Sequence, residues 1–436
     1  MTCAKCGEYG MPTRNRRRLG GRWTAPLLAL PVALLIVLVV RFPKPAFEAS
    51  LQGLTVWWNV VFPGYLPFLI LSEIAVAFGL VHGFGALLNP LMRAGLRLPG
   101  VGGWAVGMGI AAGYAAGADA AARLRERGWI SKREGDKLVA LSYVCSPFWI
   151  IGVAAAGFFG NPRIGWLLTA VHLMAWLATA LLLRGTGTAD HSAADQAASR
   201  ENRPSRRGGL LRAAFHAMAE AQKEDGRGLG KLLGDAVIQS VQTLFAIGGW
   251  MMFVSVLLEM LRRSVLSPLW LHLSAAVPFL RGGREGVALI DGLFELHLGI
   301  FAASRAVTLP ANWQAAVAAA IAACGGLAAY AQVKSAIRRT DLSMRLYIAA
   351  RAIHSVLSLF ITLWMWEPLT RWTGLDRAAW LPERPPLAQM PPPVSIWRDS
   401  LTASLCLLAV LLLLSFALRL RFRTWRQPPR RGPFAR

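Results

Sequence analysis

Residues 99–118 read PGVGGWAVGMGIAAGYAAGA, and residues 283–304 read GREGVALIDGLFELHLGIFAAS. Both stretches are apolar enough to enter a bilayer, yet neither is a simple span. The first carries Gly107, Gly109, Gly113 and Gly117. The second carries Gly283, Gly286, Gly292 and Gly299, with Glu285, Asp291, Glu295 and His297 among them. Glycine weakens a helix by about 1 kcal/mol relative to alanine. Irregular backbone at membrane depth survives only when it is buried in protein or lines a wet cavity. Both stretches therefore read as re-entrant hairpins or broken helices. The alternative for the same pattern is close helix packing through small residues.

Around them lie long apolar runs at 24–42, 50–80, 138–159, 164–184, 234–261, 312–334, 346–367 and 399–418. Each approaches or exceeds the roughly 20 residues that cross a bilayer as a helix. The expected fold is an all-α polytopic membrane protein with about eight transmembrane helices plus the two hairpins. Composition agrees: of 436 residues only 16% are charged and 55% are hydrophobic, with mean hydropathy +0.44, where a soluble domain has about 25% charged residues. The run at 24–42 follows Arg14, Arg16, Arg17 and Arg18 like a signal peptide. Arg41, Pro43, Lys44 and Pro45 then give it a poor cleavage site, so it is expected to stay.

The formal charge of +24 would suggest nucleic acid in a soluble protein. No basic stretch here is interleaved with aromatics on a binding module, so nucleic acid is not expected as a partner. The lipid bilayer is, because lysine and arginine hold cytoplasmic loops inside and contact anionic lipid. The N-terminus is placed inside, with the first hairpin entering from inside and the second from outside. The segments before 24, at Arg93 and Arg97, and at 119–137, 184–233, 334–351 and 419 onward are then internal. They carry 35 of the 47 lysines and arginines, against 12 outside. Both termini are expected in the cytoplasm.

The chain also repeats itself. Leu88-Asn89-Pro90-Leu91 returns as Leu266-Ser267-Pro268-Leu269, Pro99 as Pro278, and Cys145 as Cys324, all at offsets of 178 or 179. Each set follows a long apolar span and precedes a Gly-rich stretch and two more spans. Under the charge-derived topology the two copies are inverted, an arrangement common in secondary transporters. The expected organisation is a basic tail and first helix at 1–48, a first repeat at 49–184 and a polar cytoplasmic linker at 185–233 with a short amphipathic helix near 210–222. A second repeat at 234–370, a Pro-rich external loop at 371–398, and a last helix with a basic tail at 399–436 complete it.

No enzyme signature is present: no metalloprotease, nucleophile-elbow, P-loop or dinucleotide pattern. A catalytic role, a cofactor and a metal are not expected. Cys3 and Cys6 form a lone CxxC, where a structural zinc site needs about four ligands. Function must instead reside in polar groups inside the apolar runs. In the first half Gly113, Tyr114 and Gly117 let backbones approach closely, and Ser146-Pro147 interrupts the run at 138–159, since proline removes a donor and frees a carbonyl. In the second half Glu295, His297 and Gly299 are candidates, because ionisable groups in a membrane are costly. On an unbroken helix Asp291 and Glu295 share a face and His297 points elsewhere. The alternative is an interfacial carboxylate paired with Arg284 or Arg305. Glu73, His172 and His354 read as packed polar groups. Ser131 with Glu134 reads as a capping box that starts a surface helix.

The runs Pro63-Gly64-Tyr65-Leu66-Pro67-Phe68, Ser72-Glu73, Pro90-Leu91-Met92-Arg93 and Leu98-Pro99-Gly100-Val101-Gly102 resemble the sporulation integral membrane protein family of the YlbJ type. Gly157-Phe158-Phe159 with Asn161-Pro162, His172 and Gly292-Leu293-Phe294-Glu295 do so as well. The resemblance covers about 55–370 and implies a nucleoside-recognition Gate-type membrane domain present twice. It further implies a multi-pass protein of the outer forespore membrane that transports dipicolinic acid during endospore formation. Three positions depart from the pattern: Ala115-Ala116 replaces a proline, Cys145 an asparagine, and His297 a small hydroxyl residue.

The favoured expectation is thus a transporter of a small anionic substrate such as dipicolinate, lined by Gly113, Tyr114, Gly117, Ser146, Pro147, Glu295, His297 and Gly299. A non-transporting protein that assembles a sporulation membrane complex, with itself or with a partner, and a nucleoside or ion carrier are the alternatives.

Overall fold

A computed structural model describes residues 24–185, 210–264, 267–268, 284–306, 308–373, 402, 409–410 and 412–417. Every regular element among them is helical. Helix α1 covers Thr24–Arg41 and α2 covers Pro43–Ala77. Pro63 and Pro67 remove two donors from the α2 ladder, and the turns just ahead of them, Trp57–Val61, are widened to the i→i+5 pattern. Helix α3 (Leu80–Leu87) leads to a first helical hairpin, α4 (Gly102–Ala112) and α5 (Tyr114–Glu126). Helices α6 (Lys132–Leu141) and α7 (Pro147–Phe158) are two pieces of one run, followed by α8 (Arg163–Leu182).

After α9 (Leu210–Asp225), which lies on α3 where the amphipathic linker helix was expected, the order recurs. Helix α10 (Leu229–Arg263) is long. Helices α11 (Arg284–Phe294) and α12 (Leu296–Ser304) form a second hairpin. Helices α13 (Ala311–Cys324) and α14 (Gly326–Ala336) are a second broken run, and α15 (Arg345–Thr373) is long. Among the described residues, five helical runs are long and apolar enough to cross a membrane: Pro43–Ala77, Arg163–Gly185, Leu229–Arg263, Ala311–Ala336 and Arg345–Arg371. Shorter apolar helices stand at Ala29–Arg41, Gly102–Ala112 and Pro147–Phe158.

The two sets of elements pack as mutual counterparts. The long helices α2 and α10 lie on each other, and so do α8 and α15. The second arm of the first hairpin, α5, lies on α14, and the second arm of the other hairpin, α12, lies on α7. Each half thus presents to the other the surface it receives, which is the contact pattern of a two-fold relation.

Two expected spans are corrected. The run 138–159 is not one helix but stops at Leu141 and resumes at Pro147, residues 143–146 being irregular, a wider gap than the interruption expected at Ser146-Pro147. The run 312–334 breaks at Gly325-Gly326, both at positive φ (79° and 69°). Cys3, Cys6, Leu266, Leu269, Pro278, Gly283 and residues 374–398 of the expected external loop lie outside the described residues, while Arg371–Thr373 still belong to α15. Within 399–418, residues 412–417 are helical, and Ser415 Oγ donates to Leu87 O at 2.6 Å.

Candidate functional site

The two breaks face each other. At the first, Pro147 disfavours helical backbone for Ser146, which adopts φ −59° and ψ 136°, and Ser146 Oγ accepts from Trp149 N at 3.4 Å. The last carbonyls of α6 have lost their helical partners and are met by side chains instead. Trp176 Nε1 donates to Leu141 O at 2.8 Å, and Arg351 Nη2 to Ala140 O at 2.9 Å. At the second break the end of α13 is met by residues of the first. Tyr143 Oη (3.1 Å) and Cys145 Sγ (3.3 Å) both donate to Ala322 O, and Arg351 Nη1 donates to Ala323 O at 3.2 Å. Gly325 is required there. Its φ is left-handed, and a Cβ would strike the Tyr143 hydroxyl.

Arg351 therefore joins the C-terminal ends of two half-helices, one from each half. Both ends carry the negative pole of a helix dipole, which a cation offsets. A line of neutral groups continues from it. Arg351 Nη1 donates to His354 Nδ1 (2.9 Å), His354 Nε2 donates to His172 O (3.1 Å), and Cys145 N donates to His172 Nε2 (3.0 Å). Carbonyls only accept and backbone amides only donate, so His354 carries its proton on Nε2 and His172 on Nδ1. The two rings are 4.6 Å apart. Trp149 and His172 border a small apolar void closed by Leu168, Ile300, Ala318 and Ala322.

The hairpin tips reach the same place. Gly113 turns the first with φ 86° and ψ 174°, backbone open essentially to glycine alone. The next residue, Tyr114, stacks on Tyr143 at 4.9 Å and 15°. Glu295 turns the second hairpin. It leaves the helix at φ −147° and caps α12, its Oε2 accepting from Leu298 N at 2.9 Å. Its Oε1 sits 2.6 Å from His297 Nδ1, and His297 Nε2 accepts from Trp149 Nε1 at 3.1 Å. The indole can only donate, so His297 is neutral and gives its Nδ1 proton to the Glu295 carboxylate. All three side chains are buried.

This geometry corrects the expectation for Asp291, Glu295 and His297. The helix does not continue, so the break resets the phase and brings His297 onto Glu295. Asp291 is paired elsewhere, through both oxygens to Arg262 Nη2 at 2.7 and 2.9 Å. Gly113, Tyr114, Ser146, Pro147, Glu295 and His297 all border the paired breaks. A Cβ on Gly117 would sit 2.8 Å from Ser142 Cβ, so that glycine lets α5 pack against the first break, and Gly299 is buried one turn into α12. Glu73 is half-buried on α2, beside Ser72, whose Oγ donates to Ala111 O at 2.7 Å. His172 and His354 are the packed polar groups expected, and they stand at the centre of the site. Arg351 is the residue the charge count misplaced, since it was assigned to the loop 334–351 and is 4% exposed.

On the face bearing the α5–α6 elbow the halves are tied by polar contacts. The Ser131–Glu134 capping box forms as expected. Arg125 forks onto Asp341 at 3.0 and 3.1 Å, and Asp136 accepts from Ser343 N and Oγ at 2.7 and 2.9 Å. The Arg125 hydrogen bond, with its charge, holds the Asp341 carboxyl below the usual carboxylate range.

The chain is 35% identical over 352 residues to the sporulation integral membrane protein YlbJ of Bacillus subtilis (strain 168), an alignment spanning 79% of this chain and 84% of the relative. No family model and no solved structure matches the chain. With that identity and coverage, and with a multi-helix apolar architecture, the chain belongs to the YlbJ family of sporulation integral membrane proteins.

Proposed function

We propose that the protein carries a small anionic metabolite, dipicolinic acid in the first instance, across the bilayer between its two broken helices. The observation that carries this reading is the meeting of the breaks, where Tyr143 and Cys145 of one half bond to Ala322 O of the other. Broken helices with facing ends are how transporters place polar groups at membrane depth without leaving backbone unsatisfied in lipid. In this reading residues 49–184 and 234–370 are two Gate-like repeats of inverted orientation, both termini are cytoplasmic, and the membrane is the outer forespore membrane. Glu295 holds a negative charge at the second hairpin tip through His297 and the start of α12.

The test is dipicolinate uptake into proteoliposomes of the purified protein beside Glu295→Gln. Saturable uptake by the wild type is expected, falling at least tenfold in the variant. Undiminished uptake by Glu295→Gln removes Glu295 from the mechanism. No uptake by correctly folded wild type removes dipicolinate as substrate, and uptake of a nucleoside or cation in its place moves the assignment to a wider carrier role.

A further inference from the structure

Arg351 is buried, and a buried charge is normally paired. Among the described residues it makes no ion pair. Its partners are two carbonyls, Ala323 O and Ala140 O, and the neutral ring of His354, with the Tyr143 ring 4.2 Å and the Tyr347 ring 5.7 Å from the guanidinium carbon. A guanidinium has five N–H donors, and these contacts use three. Arg351 Nε is buried with no partner. Nη2 lies on the same edge as the Nε proton and has one more to give, so that edge can offer the parallel fork that takes a carboxylate through both oxygens. A second orphan stands one turn earlier on α15: the Tyr347 hydroxyl is also buried without a partner.

We propose that Arg351, with the Tyr347 hydroxyl, binds a carboxylate of the transported solute at the junction of the two breaks. The assignment rests on the transport reading above and names its binding residues. Three tyrosine rings surround the fork. Tyr114 stacks on Tyr143, and Tyr347 meets Tyr143 edge-on at 6.0 Å and 68°. Tyr114 is the only half-buried member of this trio and sits next to the Gly113 turn, where even a Cβ would touch nothing closer than Tyr65 Oη at 3.7 Å. The carbonyls of α6 and α13 keep Arg351 in position when no ligand is present.

The experiment is equilibrium binding to the purified full-length protein in detergent, with dipicolinate and its uncharged diamide as probes. Arg351→Lys keeps the charge and loses the fork; it is expected to weaken dipicolinate binding roughly tenfold to a hundredfold and to leave the weak diamide binding unchanged. Wild-type dipicolinate affinity in a folded Arg351→Lys protein overturns the assignment while leaving transport standing. If Arg351→Lys does not fold, Tyr347→Phe decides, because deleting an unpartnered hydroxyl disturbs the core little. A several-fold loss of dipicolinate affinity supports the site, and wild-type affinity overturns it. A wild-type protein that binds no dipicolinate overturns this proposal together with the dipicolinate reading.

Discussion

Gly325 and Gly128 form a matched pair for measuring what holds the second break closed. Both have positive φ, 79° and 71°. A Cβ at Gly128 meets nothing within 4 Å, whereas a Cβ at Gly325 runs into the Tyr143 hydroxyl and comes within 2.7 Å of the ring. Gly128→Ala should therefore cost only the left-handed penalty, about 1–2 kcal/mol. Gly325→Ala carries that penalty and must also displace Tyr143. That opens a buried hydrogen bond to Ala322 O, adding about 1–3 kcal/mol. The expected totals are about 1–2 kcal/mol at 128 and about 2–5 kcal/mol at 325. Equilibrium unfolding of both variants in the same detergent reads the difference. Equal costs, within about 0.5 kcal/mol, would mean that Tyr143 does not press on the second break, and the account of the facing ends would fall with it.

The Asp341 carboxyl lies below its ordinary range because Arg125 bonds to it. Its contribution is complete above the unfolded value near 3.9 and is lost as pH falls through the lower folded value. Arg125→Ala should flatten the stability–pH curve in that acid window, and a curve superimposable on the wild type would refute the linkage. For the pair joining α10 to the second hairpin, a double-mutant cycle on Arg262→Ala and Asp291→Ala should return a coupling of about 1–2 kcal/mol, since Arg262 is a third exposed while Asp291 is nearly buried. Simple additivity would show that the bidentate contact contributes nothing.

The helical class, both hairpins and the first break were legible because their causes are local. Pro147 after Ser146 cannot continue a helix, and glycine at 113 is permitted a backbone that other residues avoid. The Gly325-Gly326 break was not read, because a glycine pair in an Ala-rich run serves equally for close helix packing. His297 was aimed away from Glu295 by assuming a continuous helix, and one extended residue at 295 undoes that phase. Arg351 was taken for a loop charge because it stands only a few residues inside its apolar run. What buries it is the arrival of α6 and α13 from far along the chain, and no local pattern records that. Cys145 and Cys324, matched in the repeat, each stand at a break, yet a sequence offset carries no geometry.

The exchange of surfaces between halves has a consequence for biosynthesis. Helix α5 rests on α14, whose first residue lies 200 positions beyond the last of α5. At about 5–20 residues per second, the ribosome needs on the order of 10–40 s to supply that partner. Through that interval the small-residue face of the first hairpin is without its native cover. Assembly of this protein is therefore gated by completion of its second half, and a chain truncated after α8 would be left as an inserted but unclosed intermediate.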